Sequence, residues 1–112
     1  MNYKIIVPKH FATELKDYVK KFPSLKEEIK VLIESLIENP KQGNSLGSGL
    51  YKIRLANKSK GTGKSGGFRV ITYLLQVTES GTNLYLVTIY DKSEEESIDK
   101  RDLLKLVKTL II

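Results

Sequence analysis

Lys52 and Arg54 alternate with Tyr51, Ile53 and Leu55 along the segment Leu50 to Ala56. In a strand, that spacing sends both cations to one side and the apolar side chains to the other. Arg69 stands near the start of the next apolar segment, Phe68 to Val77, and Tyr73 follows four residues on, on the same side. Where the register of neighbouring strands permits, three cations and an aromatic ring share one rigid face. That is chemistry for a phosphodiester chain: arginine forks onto phosphate, lysine adds a point charge, and tyrosine stacks on an unpaired base. The same pattern also suits an ordinary solvated sheet face, so it does not decide function by itself.

Asn57 to Gly67 joins the two segments and holds four glycines with Lys58, Lys60 and Lys64. Glycine allows positive φ and lysine supplies mobile charge, so this loop can widen a grip on phosphate. Gly63-Lys64-Ser65 looks like the end of a nucleotide-binding loop, but Lys58 occupies the place of the required first glycine. A strand rather than a helix is expected to follow, so no nucleotide cofactor and no nucleotide hydrolysis are expected. His10 is the one histidine and stands at an expected helix start, with no partner nearby in sequence. Glu94-Glu95-Glu96 reads as a solvated turn or helix start and not as a metal cluster. With no cysteine, disulfides, thiolate nucleophiles and cysteine-ligated metals are excluded. No metal or other cofactor is expected.

Charge concentrates where these residues lie. Between Glu38 and Glu79 there is no acid, while Lys41, Lys52, Arg54, Lys58, Lys60, Lys64 and Arg69 supply seven positive charges. The remaining chain has 12 basic and 13 acidic residues, so the net charge of +6 belongs to this stretch. A patch of one sign steers polyanions toward itself, which points to nucleic acid as partner. The 112 residues, 40% apolar and 29% charged, suit one folded domain over 1–112. The apolar run at the N-terminus is too short for a signal peptide, and no segment suits a membrane span, so a cytoplasmic protein is expected.

The elements that must hold this face follow from periodicity. Tyr3 to Val7 reads as a short strand. Phe11, Leu15, Tyr18, Val19 and Phe22 recur at helical spacing after Pro8, and Pro23 stops that helix. Ser24 with Glu27 has the capping-box spacing. Leu25, Ile29, Leu32, Ile33, Leu36 and Ile37 then give a second helix its apolar side, ended by Asn39-Pro40. Lys41 to Gly49 reads as a polar connection, Glu79 to Asn83 as a hairpin turn, and Leu84 to Tyr90 as a strand. Asp91 to Asp99 is a charged linker, and Asp102 to Ile112 a helix with Leu103, Leu106, Val107 and Leu110 inward. The expected fold is α+β: a helical hairpin packed on a small antiparallel sheet, in the order β-α-α-β-β-β-α.

Three blocks in this order carry a resemblance. They are Gly47-Ser48-Gly49-Leu50-Tyr51-Lys52-Ile53-Arg54, the run from Gly61 to Ile71 containing Gly66-Gly67-Phe68-Arg69, and Tyr90-Asp91-Lys92-Ser93-Glu94. Together they are similar to the RelE/ParE superfamily of toxins, above all to its HigB-like, RelE-type branch from type II toxin–antitoxin modules. The resemblance implies this layout, ribosome-dependent cleavage of messenger RNA, and an antitoxin that covers the active face. An acidic segment on that antitoxin, a small helix-turn-helix protein, would match the cationic surface. The implied reaction needs no metal: a ribose 2′-hydroxyl attacks the adjacent phosphate while preorganised cations stabilise the phosphorane.

By position, Arg69 matches the family's strand arginine, Lys52 and Arg54 its basic pair, and Lys64 a loop cation. Tyr90 and Lys92 match the residues that end its last strand. The resemblance thus gives Arg69, Tyr90, Lys92 and Arg54 as catalytic candidates, with Lys52, Lys58, Lys60, Lys64 and Tyr73 as RNA-binding ones. No histidine matches those that some members place around the scissile phosphate, which leaves Tyr90 or Lys92 as general base. Two rivals share the fold: a ParE-like poison of DNA gyrase, and a domain that binds RNA or a partner without catalysis.

Overall fold

Pro23 divides the apolar helical pattern into α1 (Lys9–Lys21) and α2 (Leu25–Glu38) of the computed structural model. The structure describes residues 2–61, 63–76, 81–94 and 98–111, without the side chains of residues 2, 64 and 65. Before the helices comes β1 (Asn2–Ile6). After them come β2 (Asn44–Gly47), β3 (Leu50–Leu55), one helical turn α3 (Gly63–Gly66), β4 (Phe68–Gln76), β5 (Gly81–Asp91) and α4 (Lys100–Ile111).

The five strands form one sheet in the order β1-β5-β4-β3-β2. β4 is central, as its apolar run suggests. Strands β2 to β5 pair antiparallel, and β1 joins the outer edge of β5 in parallel, so the sheet is mixed. Two elements differ from the sequence expectation. The polar connection after α2 contains β2, which is a strand because it pairs with Tyr51 and Lys52 and not because of its own composition. Part of the glycine-rich loop closes into α3, a single turn too short to present a useful helix N-terminus. The expected turn at 79–83 and the linker at 91–99 lie partly outside the described residues; within them, β5 starts at Gly81.

Each face of the sheet carries its own core. The helical hairpin buries Phe11, Leu25, Ile29, Leu32 and Leu36 against Ile53, Phe68, Val70, Leu84, Leu86 and Ile89. On the other face, Leu103 and Val107 of α4 pack on Leu50, Ile71, Tyr85, Val87 and Tyr90. Alternation along β4 therefore sends Phe68 and Val70 toward the hairpin, and Arg69 and Ile71 toward α4.

The β4–β5 ladder breaks once. Ile71 faces Thr88 and Thr72 faces Leu86, which leaves Val87 as an extra residue on β5. Glu14 of α1 fastens this bulge: its carboxylate accepts from Thr88 Oγ1 at 2.9 and 2.8 Å and from the Ile89 amide at 3.2 Å. Further along, the Tyr18 hydroxyl accepts from the Asp91 amide at 3.3 Å and donates to Glu94 Oε1 at 3.0 Å. Burial, together with the neighbouring Glu94 carboxylate, pushes the Tyr18 hydroxyl up to about 12 although its bond from the Asp91 amide acts the other way. One helix thus sets the path of the last strand from behind.

Ser24 does not form the expected capping box. Its hydroxyl lies 2.9 Å from that of Ser59 and accepts from the Ser59 amide at 3.0 Å and the Asn57 side chain at 3.2 Å. Glu28, one turn into α2, accepts from the Asn57 side chain at 2.6 Å and the Lys58 amide at 2.9 Å. The start of α2 is used to hold the glycine-rich loop, and Asn57 is 2% exposed as a result.

A candidate phosphate-binding row across three strands

Arg54 faces Arg69 across the β3–β4 ladder, and Arg69 faces Tyr90 across β4–β5. Residues directly opposite in antiparallel strands share a face, with Cα atoms about 4.5–5.5 Å apart. Arg54, Arg69 and Tyr90 therefore form one row on the α4 face, and the row contains no acid. Arg54 is exposed, while Arg69 and Tyr90 are 3% and 5% exposed. One guanidinium sits inside and the other at the rim.

Burial first, and then the charge of Arg54, lowers the pKa of Arg69 from the ordinary arginine value, with Tyr90 acting in the opposite sense. An arginine stays protonated under such pressure. The row is thus a concentration of like charge that an anion would relieve. Arg69 also donates to the Phe68 carbonyl at 3.1 Å, which fixes the side chain before any ligand arrives. Preorganisation of this kind is what stabilising a charged transition state requires.

The other expected site residues fall around this row in different ways. Lys52 lies two residues from Arg54 on the same side of β3, half-buried. With Arg54, Gln42, Gly43 and Asn44 it lines a shallow depression of about 270 Å³. Lys92 follows directly on β5, and its amide donates to the Gly67 carbonyl at 3.1 Å. Tyr73 lies on the same face as Arg69 but faces Leu50 and Tyr85, with its ring centroid 6.4 Å from that of Tyr85. Four strand residues put it about 13 Å from Arg69, within the α4 cluster. Lys58 is exposed beside the start of α2. The Lys64 side chain lies outside the described residues.

Lys60 stands apart from the exposed cations. Its ammonium is bound to the Asp91 carboxylate, donates to the Gly67 carbonyl at 3.4 Å, and lies 5.1 and 5.6 Å from the ring centroids of Phe68 and Phe22. The Lys60 and Asp91 side chains are only 9% and 6% exposed. Sequence reading did not pair them. The available signal was Asp91 itself, an acid at the end of an apolar strand.

Burial would raise the Asp91 carboxyl, but hydrogen bonds from Lys60 and from the Ser93 amide and hydroxyl outweigh it and hold the pKa below the usual range. A depressed folded pKa means that the unfolded chain takes up the proton first, near pH 3.9. The contribution of Asp91 to stability is therefore complete above about pH 4 and is lost as pH falls through the lower, folded value. Urea midpoints of the wild type should fall more between neutral pH and about pH 3 than those of Asp91→Asn; equal slopes would remove Asp91 as a cause.

His10 lies at the start of α1, 44% exposed at the side chain, and against the sequence expectation it does have a neighbour in sequence as partner, the Glu14 carboxylate one helical turn on at 3.4 Å. The histidine lies on the helical-hairpin side of the sheet, the face opposite the row. Among the described residues no group of histidines and carboxylates is placed to hold a metal ion, and no helix is long and apolar enough to cross a membrane.

Comparison with known proteins gives two findings. The family model described as RelE toxin of the RelE/RelB toxin–antitoxin system matches residues 4–110. A solved structure of an Escherichia coli toxin RelE mutant in the free state matches with a TM-score of 0.55 and 16% identity, over 100% of both chains. The second likeness supports the fold: helices on both faces of a five-stranded mixed sheet.

Proposed function

This chain belongs to the RelE toxin family, and on that premise we propose that it cleaves messenger RNA on the translating ribosome. As a toxin of a toxin–antitoxin module it has an antitoxin partner. We propose further that this partner is a small helix-turn-helix protein and that both act in the cytoplasm.

The observation that carries the nuclease reading is the row Arg54–Arg69–Tyr90. In the reaction, a ribose 2′-oxygen bonds to the adjacent phosphorus, its proton passes to a base, and the 5′-oxygen leaves with a proton. The products are a 2′,3′-cyclic phosphate and a 5′-hydroxyl. Arg69 and Arg54 hold the equatorial oxygens as charge builds on them. Lys52, Lys58 and Lys64 hold flanking phosphates, and Tyr73 offers a ring for stacking. Tyr90, or Lys92 just after it, moves the proton. Lys60 enters through Asp91 rather than as an exposed charge.

Tyr90→Phe separates the catalytic from the packing role of that ring. The hydroxyl is buried and the ring belongs to the α4 core, so phenylalanine keeps the shape. Loss of a proton-transfer group costs about 10²–10⁴-fold in rate. Single-turnover cleavage of a ribosome-bound message should fall by that range with folding intact. Full cleavage by Tyr90→Phe would move the proton transfer to Lys92.

The burial of Tyr90 beneath α4 also favours a second reading, an RNA-binding domain that blocks translation without cutting. In that case RNA-end mapping shows no new ends in cells whose growth the wild type arrests.

A further inference from the structure

The helical-hairpin face carries polar groups that the cleavage row does not use, and they converge on one residue. Asp91, the last residue of β5, receives Lys60 and both donors of Ser93 on its carboxylate, and its amide donates to the Tyr18 hydroxyl. The same Lys60 ammonium reaches the Gly67 carbonyl, which also accepts the Lys92 amide. Gly67 has no room for a side chain, since a Cβ there would lie 2.1 Å from the Leu55 carbonyl oxygen. The ends of β3 and β5 and the start of β4 thus meet at one point, and one buried cation ties two of them.

Stability alone does not require an ion pair there. Removing two charges from water offsets most of their attraction, so well-packed apolar residues often serve as well. What the pair adds is direction. Asp91 directly follows Tyr90, and Gly67 precedes Arg69 by two residues. Phe68 faces Asp91 in the ladder, one step from the pair Arg69–Tyr90. A cation held by the Asp91 carboxylate on one side and the Gly67 backbone carbonyl on the other fixes how the end of β5 lies against the start of β4, where the row crosses them. It also neutralises the acid that directly follows Tyr90 in the chain.

We propose that the Lys60–Asp91 pair is a positioning device for Tyr90, holding it in register with Arg69 from the opposite face of the sheet. The proposal rests on the reading of the row as a cleavage site. Lys60 and Asp91 touch no substrate in it, and act through the strand ends they join.

The test compares Lys60→Met, Asp91→Asn and Lys60→Arg with Glu28→Gln, which loosens the same loop at Asn57 and Lys58 but leaves Asp91 alone. Three quantities are read below every melting point: the single-turnover cleavage constant at saturating ribosome-bound message, the dissociation constant for that message, and the ζ-carbon NMR resonance of the Tyr90 ring. Misplacing a reacting group by 1 Å can cost about 100-fold, so Lys60→Met and Asp91→Asn should slow cleavage at least ~10-fold. Binding should change by less than about threefold, as for a loss confined to the transition state. Lys60→Arg should retain most of the rate, and Glu28→Gln nearly all of it. The Tyr90 resonance should move in Lys60→Met and stay in place in Glu28→Gln.

An unmoved resonance, a cleavage constant equal to that of the wild type, or a parallel decline in Glu28→Gln would overturn the proposal. Should Lys60→Met not fold, Asp91→Asn keeps the volume of the site and carries the same comparison. If the wild type cuts no RNA, the nuclease reading fails separately. The resonance then decides alone: movement supports positioning and constancy refutes it.

Discussion

Arg69→Ala is expected to abolish growth arrest on expression and to lower the cleavage constant by about 10²–10³-fold, the usual effect of deleting one oriented donor to a developing oxyanion. The effect on folding should have the opposite character. Arg69 is 3% exposed and sits opposite the exposed Arg54 in the ladder, so its removal ends the desolvation of a buried charge and the repulsion from Arg54 even as it leaves a cavity. The urea midpoint should therefore change little while activity collapses. Arg69→Lys should recover part of the rate, because a point charge replaces the fork. A variant that loses activity only in proportion to its stability would make Arg69 a structural residue.

Phe68→Ala is expected to cost the most stability of any single change near the site. The ring is fully buried and meets Tyr18 and Phe22 edge-on, with centroids 5.0 and 5.5 Å away, as well as the Lys60 ammonium. Truncating a buried phenylalanine costs about 3–5 kcal/mol, against a total of about 5–15 kcal/mol for an ordinary domain. The variant should be partly unfolded at growth temperature. It should also lose the effect of Lys60, whose cation rests on this ring. Phe68→Leu fills most of the volume and should recover most of the midpoint. A loss below about 1 kcal/mol in Phe68→Ala, small for any core truncation, would show that the three rings do not act as a unit.

These two residues are adjacent in sequence and lie on opposite faces of β4, and that contrast shows what the sequence could reveal. Alternation alone placed Lys52 and Arg54 on one side of a strand and Arg69 with Tyr73 on one side of another, and the structure agrees. The division of the helices at Pro23 was equally visible, because proline acts locally. The meeting of Arg54 with Arg69 and Tyr90 was not, because register depends on how the loops close and which face is buried. Strand β2 escaped notice for a related reason. Asn44, Ser45 and Gly47 carry no strand signal, and only pairing with β3 makes them one.

Polar residues with two uses were the hardest to read. Ser24 has the spacing of a capping residue, yet its hydroxyl serves Ser59 and Asn57 across the fold. Lys60 looks like any other lysine of a glycine-rich loop, and only the tertiary structure sets it against Asp91 and two rings. The family resemblance supplied Tyr90 and Lys92, which composition would not have singled out. It gave no indication that Tyr90 lies in the α4 core with Leu103 and Val107.

The most direct test of the account is mapping of RNA 5′-ends in total RNA shortly after induction, with the wild type and Arg69→Ala in parallel. The account predicts new ends within translated regions, in phase with codons, for the wild type and none for Arg69→Ala. Growth arrest without such ends, or with DNA breaks in their place, would contradict it.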